Sequence, residues 1–349
     1  MKRAAFAVPG DLETPTGGYA YDKRIIAELR ALGWQIDVID LGVAFPNPDI
    51  ATRASALAKL QATPEGCPIV IDGLAFGVMA EEAKLLRERN PLVALVHHPL
   101  ALETGIDAET AHALRDSERA ALGCTRSVIV TSQPTAEIVR RDYAVPSERI
   151  VAVRPGVDRL PVRARGSQNA VVNLLAVGSI TPRKGYDILI EVLASLTELP
   201  WQLTIAGALR SEAALARLES DIARFHLQGR VVIAGAVAEA RLTELYTNAD
   251  VFVLASLFEG YGMVFGEAIA HGLPIVATAV GAAGDIVPAD AGRLVAPGDA
   301  SALRDALRRV IEDADLRTRM ADAAQKASIQ LPGWRQSAAQ FASVLERLI

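Results

Sequence analysis

Residues 250–272 read DVFVLASLFEGYGMVFGEAIAHG. The apolar run 251–254 predicts a buried strand, the glycines after it predict a loop, and residues 263–271 predict a short helix that Gly272 ends. A loop that leads from a buried strand into a helix is typical of parallel α/β sheets, which bind ligands at the carboxyl ends of their strands. The stretch therefore predicts an α/β fold with a ligand site at this strand end.

Two glutamates of the stretch stand eight residues apart, Glu259 in the predicted loop and Glu267 in the predicted helix. Carboxylates accept hydrogen bonds from hydroxyls, and a helix N-terminus offers N–H groups and partial positive charge to an anion. Gly260 and Gly262 let the backbone approach a ligand and adopt positive φ. The combination predicts a site for an anionic, hydroxyl-bearing ligand. A glycine turn without a ligand and an exposed helix acid are the plainer alternatives.

The alternation of short apolar runs with helix-length stretches occurs twice along the chain. The predicted strands of the first half are residues 3–8, 35–39, 68–71, 92–96 and 127–130. Those of the second half are residues 171–177, 203–206, 231–234, 251–254, 275–278 and 292–295. The polar segment 163–170 is the predicted linker. The chain is thus expected to form two doubly wound units.

Composition excludes several classes of protein. A chain of 349 residues with 51% hydrophobic content is large enough for two buried cores. Few aromatic residues and a net charge of −5 argue against a nucleic-acid partner. Cys67 and Cys124 are too few for a disulfide framework or a cysteine metal cluster, which favours a reduced cytoplasmic protein. The first nine residues read as a strand rather than a signal peptide, and no apolar run is long enough to span a membrane.

A basic pair, Arg183 and Lys184, follows the first predicted strand of the second unit and is closed by Gly185. Arginine can make a two-pronged contact with phosphate oxygens, and lysine acts as a compact point charge. Adjacent basic residues are common on protein surfaces. Their position after this strand nevertheless favours a phosphate site.

The sequence resembles family 4 retaining glycosyltransferases in its E-x7-E signature, formed by Glu259 and Glu267. Residues 177–185, VGSITPRKG, are similar to the family's phosphate-binding segment, and residues 153–158, VRPGVD, to its domain-junction motif. Gly17 and Gly18 are similar to its first-strand glycine loop. The chain departs from the family at Ala255, before the serine of the strand-end loop, where the family often has proline. It also reads GAAGD at residues 281–285, where the family usually has Gly-Gly-x-Pro-Glu.

The resemblance implies the GT-B fold, with two Rossmann-like doubly wound domains facing across a cleft. It implies an acceptor domain at residues 1–163 and a nucleotide-sugar donor domain at residues 168–333. Residues 334–349 would form a helix that crosses back onto the N-terminal domain. Their apolar residues stand at helical spacing, which agrees with that expectation.

The resemblance also assigns roles in donor binding. Arg183 and Lys184 would meet the donor diphosphate, Glu267 the ribose hydroxyls, and Glu259 the transferred sugar. Whether Glu259 attacks the sugar or stabilises an oxocarbenium-like transition state stays open. The full set of expected donor-binding residues is Gly17, Gly18, Arg183, Lys184, Gly260, Tyr261, Gly262, Met263, Val264 and Glu267.

His97 and His98 follow the predicted strand 92–96, at the carboxyl edge of the first sheet. In the family a histidine after this strand lies near the reacting sugar. His97 is the better match, and His98 stands where an acid often occurs. We expect both beside Glu259 among the catalytic residues, hydrogen-bonding the sugar or orienting the acceptor. Glu103 on the following loop is a weaker candidate.

Metal-free catalysis is the expectation. The sequence Asp313-Ala314-Asp315 is the one Asp-x-Asp pattern, and it lies between predicted helices, where a solvated junction is the better interpretation. The cations Arg183 and Lys184 would supply the charge that a metal supplies elsewhere. No cofactor is expected beyond the nucleoside-diphosphate sugar as co-substrate.

The sequence therefore predicts a retaining, metal-independent hexosyltransferase that uses a nucleoside-diphosphate sugar, with UDP-sugars favoured over GDP-mannose. The acceptor would be a saccharide or a membrane glycolipid. Helical stretches near residues 51–60 and 81–89 could lie on the inner face of a membrane, although ordinary outer helices are the simpler interpretation. The alternatives are a nucleotide-sugar epimerase, a sugar phosphorylase and a non-catalytic sugar-nucleotide sensor.

Overall fold

A computed structural model describes residues 2–14, 16–103, 105–158 and 170–349. The chain divides into two compact units, Met1–Gly156 with Pro332–Ile349, and Val157–Leu331. The expected linker, residues 163–170, lies outside the described residues except for Ala170, so the domain limits 1–163 and 168–333 stay predictions. Within the described part of the chain, no helix is long and apolar enough to cross a membrane.

The strands alternate with helices throughout both units. The strands are β1 Arg3–Val8, β2 Gln35–Asp40, β3 Ile69–Asp72, β4 Leu92–Val96, β5 Ser127–Val130, β6 Ile150–Ala152, β7 Val172–Val177, β8 Trp201–Ala206, β9 Val231–Gly235, β10 Val251–Leu254, β11 Ile275–Thr278 and β12 Gly292–Val295. The helices are α1 Gly17–Ala31, α2 Ile50–Gln61, α3 Gly73–Phe76, α4 Ala80–Leu86, α5 Ala108–Leu122, α6 Gln133–Asp142, α7 Tyr186–Ala194, α8 Glu212–Arg224, α9 Glu239–Asn248, α10 Met263–Ala270, α11 Ala283–Ile286, α12 Ala300–Glu312, α13 Ala314–Ser328 and α14 Trp334–Glu346.

The first unit contains a six-stranded parallel sheet in the order β2-β1-β3-β4-β5-β6. Its central strands are apolar and fully buried, as expected of strands covered by helices on both faces. The strand order changes direction between β1 and β3. Loops that leave neighbouring strands at such a point diverge and open a crevice at the carboxyl edge.

The last helix, α14, packs on the first unit. The Phe341 ring stacks on Phe6 of β1 at a centroid distance of 6.1 Å, and Trp334 packs edge-on against Tyr21 of α1. Gly156 makes this contact close, because a Cβ at that position would lie 2.3 Å from the backbone nitrogen of Trp334. The glycine of the 153–158 motif therefore admits the start of α14.

The second unit contains a six-stranded parallel sheet in the order β12-β11-β10-β7-β8-β9. Its strand order reverses between β7 and β10, which are neighbours in space although β8 and β9 intervene in the chain. The carboxyl ends of β7 and β10 thus lie side by side. Both faces of the sheet carry apolar clusters, so the strands are buried on both sides.

Each predicted strand is present, with bounds that agree to within a residue or two. The additional strand β6 was not predicted. It is short and only half-buried, and it forms the edge of its sheet beside β5. Such a strand lacks the apolar run that reveals buried strands in a sequence.

Candidate active site

The basic pair and the first glutamate of the 250–272 stretch meet at the carboxyl edge of the second sheet. Arg183 and Lys184 lie on a 3-10 turn, Pro182–Lys184, that follows β7. Glu259 lies in the loop after β10. Because β7 and β10 are hydrogen-bonded neighbours, their loops bring these side chains together.

Glu259 accepts hydrogen bonds from two donors and lies beside a second cation. Lys184 Nζ lies 2.5 Å from Glu259 Oε1, and Ser256 Oγ donates to the same oxygen at 2.7 Å. Arg183 Nη1 lies 3.7 Å from Glu259 Oε2 and donates to the Phe258 carbonyl at 3.2 Å. Burial alone would favour the neutral acid, but Lys184 and Arg183, with the hydrogen bonds, hold the pKa of Glu259 below its ordinary value. Glu259 is therefore a carboxylate with two cations beside it.

Two glycines allow the backbone to approach this closely. A Cβ on Gly185, whose φ is +62°, would lie 2.2 Å from the Ala255 carbonyl oxygen. A Cβ on Gly281, whose φ is +55°, would lie 2.1 Å from the Glu259 carbonyl oxygen. Both positions combine a left-handed conformation with a contact that only glycine permits. The glycine of the 281–285 segment thus supports the loop that carries Glu259.

The helix α10 begins directly beyond this loop. Gly262 precedes it with φ +84°, and no side chain caps the helix start. The first-turn backbone N–H groups of Met263 and Val264 therefore lie where an anion would be stabilised. Tyr261 is buried with the apolar residues beneath the loop, so its expected contact with a ligand would come from its backbone.

Glu267 lies within α10, as predicted. Tyr246 of α9 donates a hydrogen bond to Glu267 Oε2 at 2.6 Å. Burial raises the pKa of Glu267, with nearby Asp158 adding to the effect and the Tyr246 hydrogen bond and Lys184 opposing it. The E-x7-E pair therefore consists of two acids in different electrostatic surroundings, one paired with cations and one held by a phenol.

In the first unit, His97 lies directly after β4 and contacts two acids. His97 Nε2 is 3.1 Å from Asp22 Oδ1 and 3.4 Å from Asp72 Oδ2. Asp22 lies on α1, and Asp72 ends β3, where it also accepts a hydrogen bond from the Leu74 N–H that starts α3. These are metal-ligating residue types with ligand atoms within 4.8 Å of one another. The direct contacts define an ion-pair cluster.

The cluster shifts the titration of its members. Burial opposes the charged form of His97, but attraction to Asp22 and hydrogen bonds with Asp22 and Asp72 outweigh it and raise the pKa of His97 to about 10. Burial raises the pKa of Asp22 to about 7, while His97 partly lowers it and Asp72 raises it further. The two acids therefore favour the positively charged form of the imidazole ring.

The other expected residues of the first unit lie at the start of α1 and in the loop of His97. Gly17 and Gly18 start α1, and a Cβ on Gly18 would lie 3.3 Å from His97 Cδ2. His98 Nε2 lies 3.2 Å from Glu103 Oε2 across the same loop.

A buried acid accepts a hydrogen bond from the backbone of this loop. Glu118 of α5 accepts a hydrogen bond from the Leu100 N–H at 3.0 Å, and burial raises its pKa to about 7, although the Leu100 contact partly lowers it.

The structure gives Asp313 an ordinary structural position. It precedes α13, where its side chain accepts a hydrogen bond from the Leu316 N–H at 2.7 Å, and Asp315 lies in the first turn. Both acids occupy places that helix starts commonly favour.

Four residues of the site were not predicted from the sequence: Asp22, Asp72, Tyr246 and Ser256. Asp22 had a signal, since it occupies the apolar stripe of α1 together with Ile25, Ile26 and Leu29, and an acid in such a stripe must have a partner. Asp72 ends a buried strand next to β4, at the same sheet edge as His97. Tyr246 lies on a helix distant in sequence from Glu267 and had no comparable signal.

Two family models match consecutive parts of the chain. The model described as Glycosyltransferase Family 4 matches residues 45–159. The model described as Glycosyl transferases group 1 matches residues 165–327. The second match contains the Arg183, Lys184 and Glu259 cluster as well as Glu267.

Two curated proteins illustrate the similarity. The chain is 27% identical over 275 residues to an MMP alpha-(1->4)-mannosyltransferase of Mycolicibacterium hassiacum, which covers 74% of this chain and 66% of that protein. It is 29% identical over 243 residues to a D-inositol 3-phosphate glycosyltransferase of Xylanimonas cellulosilytica, which covers 65% of this chain and 58% of that protein. The chain thus spans less than two thirds of the length of these relatives.

Solved structures share the fold. A sucrose-phosphate synthase from Thermosynechococcus elongatus superposes with a TM-score of 0.85 at 24% identity, covering 100% of this chain and 99% of that one. Anabaena HepE, solved in complex with UDP-glucose, superposes with a TM-score of 0.79 at 21% identity, covering 99% of this chain and 100% of that one.

Proposed function

Because this chain belongs to glycosyltransferase family 4 and has the GT-B fold, we propose that it is a retaining, metal-independent hexosyltransferase. It transfers a sugar from a nucleoside-diphosphate sugar to a saccharide or glycolipid acceptor. The observation that carries this proposal is the meeting of Arg183, Lys184 and Glu259 beside the start of α10.

The basic pair suits the diphosphate. As the bond to the sugar breaks, negative charge develops on the leaving group and must be stabilised. Arg183 and Lys184, next to the N–H groups at the start of α10, can offset that charge with groups the chain itself supplies. This supports a reaction without a divalent metal.

The two glutamates suit the sugars of the donor. Glu267 binds the ribose hydroxyls, and Glu259 binds the transferred sugar. The negative charge of Glu259 supports this role, because a carboxylate accepts hydrogen bonds and stabilises positive charge at a reacting sugar carbon. Retention of the anomeric configuration is proposed from the family alone.

UDP-sugars are the first choice of donor, with GDP-mannose second. Anabaena HepE, which shares the fold, was solved with UDP-glucose, while a curated relative is named as a mannosyltransferase. A saccharide or polyol acceptor has support from the relative named for D-inositol 3-phosphate. Contact of the N-terminal unit with a membrane glycolipid is the second candidate.

The first experiment measures thermal stabilisation by UDP, GDP, ADP and NAD without added metal. A ligand that binds only the folded state stabilises it, by about 2.7 kcal/mol at a hundredfold excess over its Kd. We expect stabilisation by one nucleoside diphosphate, lost in Glu267→Gln and retained in Glu219→Gln, which changes an exposed acid of α8.

A transfer assay with sugars of that nucleotide follows, with the anomeric configuration of the product read by NMR. Replacing Glu259 by Gln should abolish most of the activity. Failure of every nucleotide to stabilise a properly folded protein would refute the donor assignment and favour the sugar phosphorylase among the alternatives. An inverted product would refute retention.

A further inference from the structure

His97 is held by acids from two different elements of the first unit. Asp22 comes from α1 and Asp72 from the end of β3, and both contact the same ring nitrogen, Nε2. The two acids are 0% and 4% exposed. A buried carboxylate is costly unless a charge partner compensates it. The imidazolium form of His97 is such a partner for both acids at once.

The contacts determine where the ring carries its protons. A carboxylate accepts hydrogen bonds, so an Nε2–H can donate to the ionised form of Asp22 or Asp72. Asp72 also accepts a hydrogen bond from the Leu74 N–H at 2.7 Å, which fixes its position at the end of β3. The imidazolium form, which two neighbouring acids favour, carries a proton on Nδ1 as well.

The packing also determines which edge of the ring is covered. A Cβ on Gly18 would lie 3.3 Å from Cδ2 and 3.5 Å from Nε2, so α1 covers that edge together with the two acids. The Tyr21 ring packs edge-on against His97 at 5.4 Å. About 20% of the His97 side chain remains exposed, and among the described residues Nδ1 has no hydrogen-bond partner. Nδ1 is thus the ring nitrogen left for a ligand.

We propose that Asp22 and Asp72 are positioning residues that keep His97 an imidazolium and leave its Nδ1–H to donate to an oxygen of a bound substrate. This inference rests on the proposed function and adds two residues and a charge state to it. The fixed cation would stabilise an oxygen that gains negative charge during transfer. Orientation by a carboxylate is what allows one histidine nitrogen to act while the other is held.

The charge state depends on every group that faces the ring. In the part of the chain that the structure describes, the titratable groups near the ring are Asp22 and Tyr21 from α1 and Asp72 from β3, with His98 and Glu103 following in the loop of His97 itself. Tyr21 donates its hydroxyl hydrogen to the Val153 carbonyl, which leaves the two aspartates as the acids in contact with the ring. The ring therefore keeps its charge through neutral pH and loses it only in alkaline solution.

The test is a pH titration of the histidine ring nitrogens by NMR, on the full chain without ligand. We expect the His97 signals to report a doubly protonated ring up to about pH 8, well beyond the ordinary histidine range. In Asp22→Asn the midpoint should fall by about one to three pH units, as for the loss of a neighbouring opposite charge. Asp72→Asn should lower it as well while keeping an acceptor for Leu74.

Activity provides the second readout. In Asp22→Asn, kcat should fall as pH rises past the lowered midpoint and recover in acid, while the KM for the donor changes little. A purely structural role for Asp22 would not produce recovery in acid. The control is Asp116→Asn, which removes an exposed contact with His112 on α5 and should alter neither the His97 titration nor kcat.

Two results would overturn the proposal. One is a parent protein in which His97 loses its charge below neutral pH. The other is tight binding of Zn²⁺ or Mn²⁺ that Asp22→Asn abolishes, which would assign the cluster to a metal. The NMR readout needs no turnover, so a parent without transferase activity but with a charged His97 would refute the proposed function alone.

Discussion

Lys184 Nζ lies 2.5 Å from Glu259 Oε1, although the two residues are 75 positions apart in the chain. Both side chains are more than nine-tenths buried. A desolvated ion pair of this kind costs little net stability when complete, but removing one partner leaves the other charge buried without compensation. The pair therefore links the stability of the second unit to the two groups proposed to handle the donor.

Replacing Lys184 by Met should lower the free energy of unfolding by about 3–5 kcal/mol. Urea denaturation near neutral pH measures this. The double variant Lys184→Met/Glu259→Gln should regain part of the loss, because the uncompensated charge is gone. If Lys184→Met were as stable as the parent, Glu259 would have to be neutral or solvated, contrary to the structure.

The same ion pair predicts that the stability of the protein falls in acid. The pKa of Glu259 is below its ordinary value of 4.5, so the pair contributes stability above that pH and loses it as pH falls through the folded-state pKa. Unfolding curves collected below pH 5 should show a smaller acid loss in Glu259→Gln than in the parent. Parallel curves for the two proteins would contradict this.

Tyr246→Phe should weaken nucleoside-diphosphate binding. The variant removes the hydroxyl that donates to Glu267 at 2.6 Å, so the pKa of Glu267, already raised by burial, should rise further and its acceptor geometry relax. We expect a loss of about 1–3 kcal/mol in binding free energy, measured by calorimetry. Tyr143→Phe, a buried tyrosine of the first unit, is the control and should leave affinity unchanged. Unaltered affinity in Tyr246→Phe would exclude Glu267 from the nucleotide site.

Gly185→Ala should be more damaging than Gly33→Ala. Both glycines have positive φ, but a Cβ on Gly33 meets nothing within 4 Å, whereas one on Gly185 meets the Ala255 carbonyl oxygen at 2.2 Å. Gly33→Ala should cost about 1–2 kcal/mol for conformation alone. Gly185→Ala should cost more and also reduce nucleotide affinity, because the clash displaces the loops that carry the basic pair. Equal costs in thermal unfolding would show that the loops adapt.

Glu118→Gln should flatten the dependence of stability on pH. Its pKa is raised from 4.5 to about 7, so the folded state binds a proton that the unfolded state releases, and stability falls as pH rises through this range. The free energy of unfolding that the parent loses between low pH and pH 8 through this group is about 3 kcal/mol. The glutamine keeps an acceptor for Leu100, so at pH 8 the variant should be at least as stable as the parent. A steeper or unchanged dependence of stability on pH in the variant would contradict a raised pKa of Glu118.

Local features of the sequence were sufficient to predict the strands and the positions of Glu259 and Glu267. Apolar runs located the strands, and the order strand, glycine loop, helix correctly placed Glu259 before α10 and Glu267 within it. These patterns are readable because strand and helix preferences depend on near neighbours in the chain. The short edge strand β6 was missed because it lacks that pattern.

The contacts that define the chemistry depend on which strands become neighbours. Lys184 meets Glu259 because β7 pairs with β10 across the intervening β8 and β9, and His97 meets Asp22 and Asp72 because α1, β3 and β4 converge at one sheet edge. The sequence by itself determined two doubly wound units and the residue types of the site. Only the tertiary structure decided the partners, because the charge state of a buried group depends on neighbours that folding brings from distant parts of the chain.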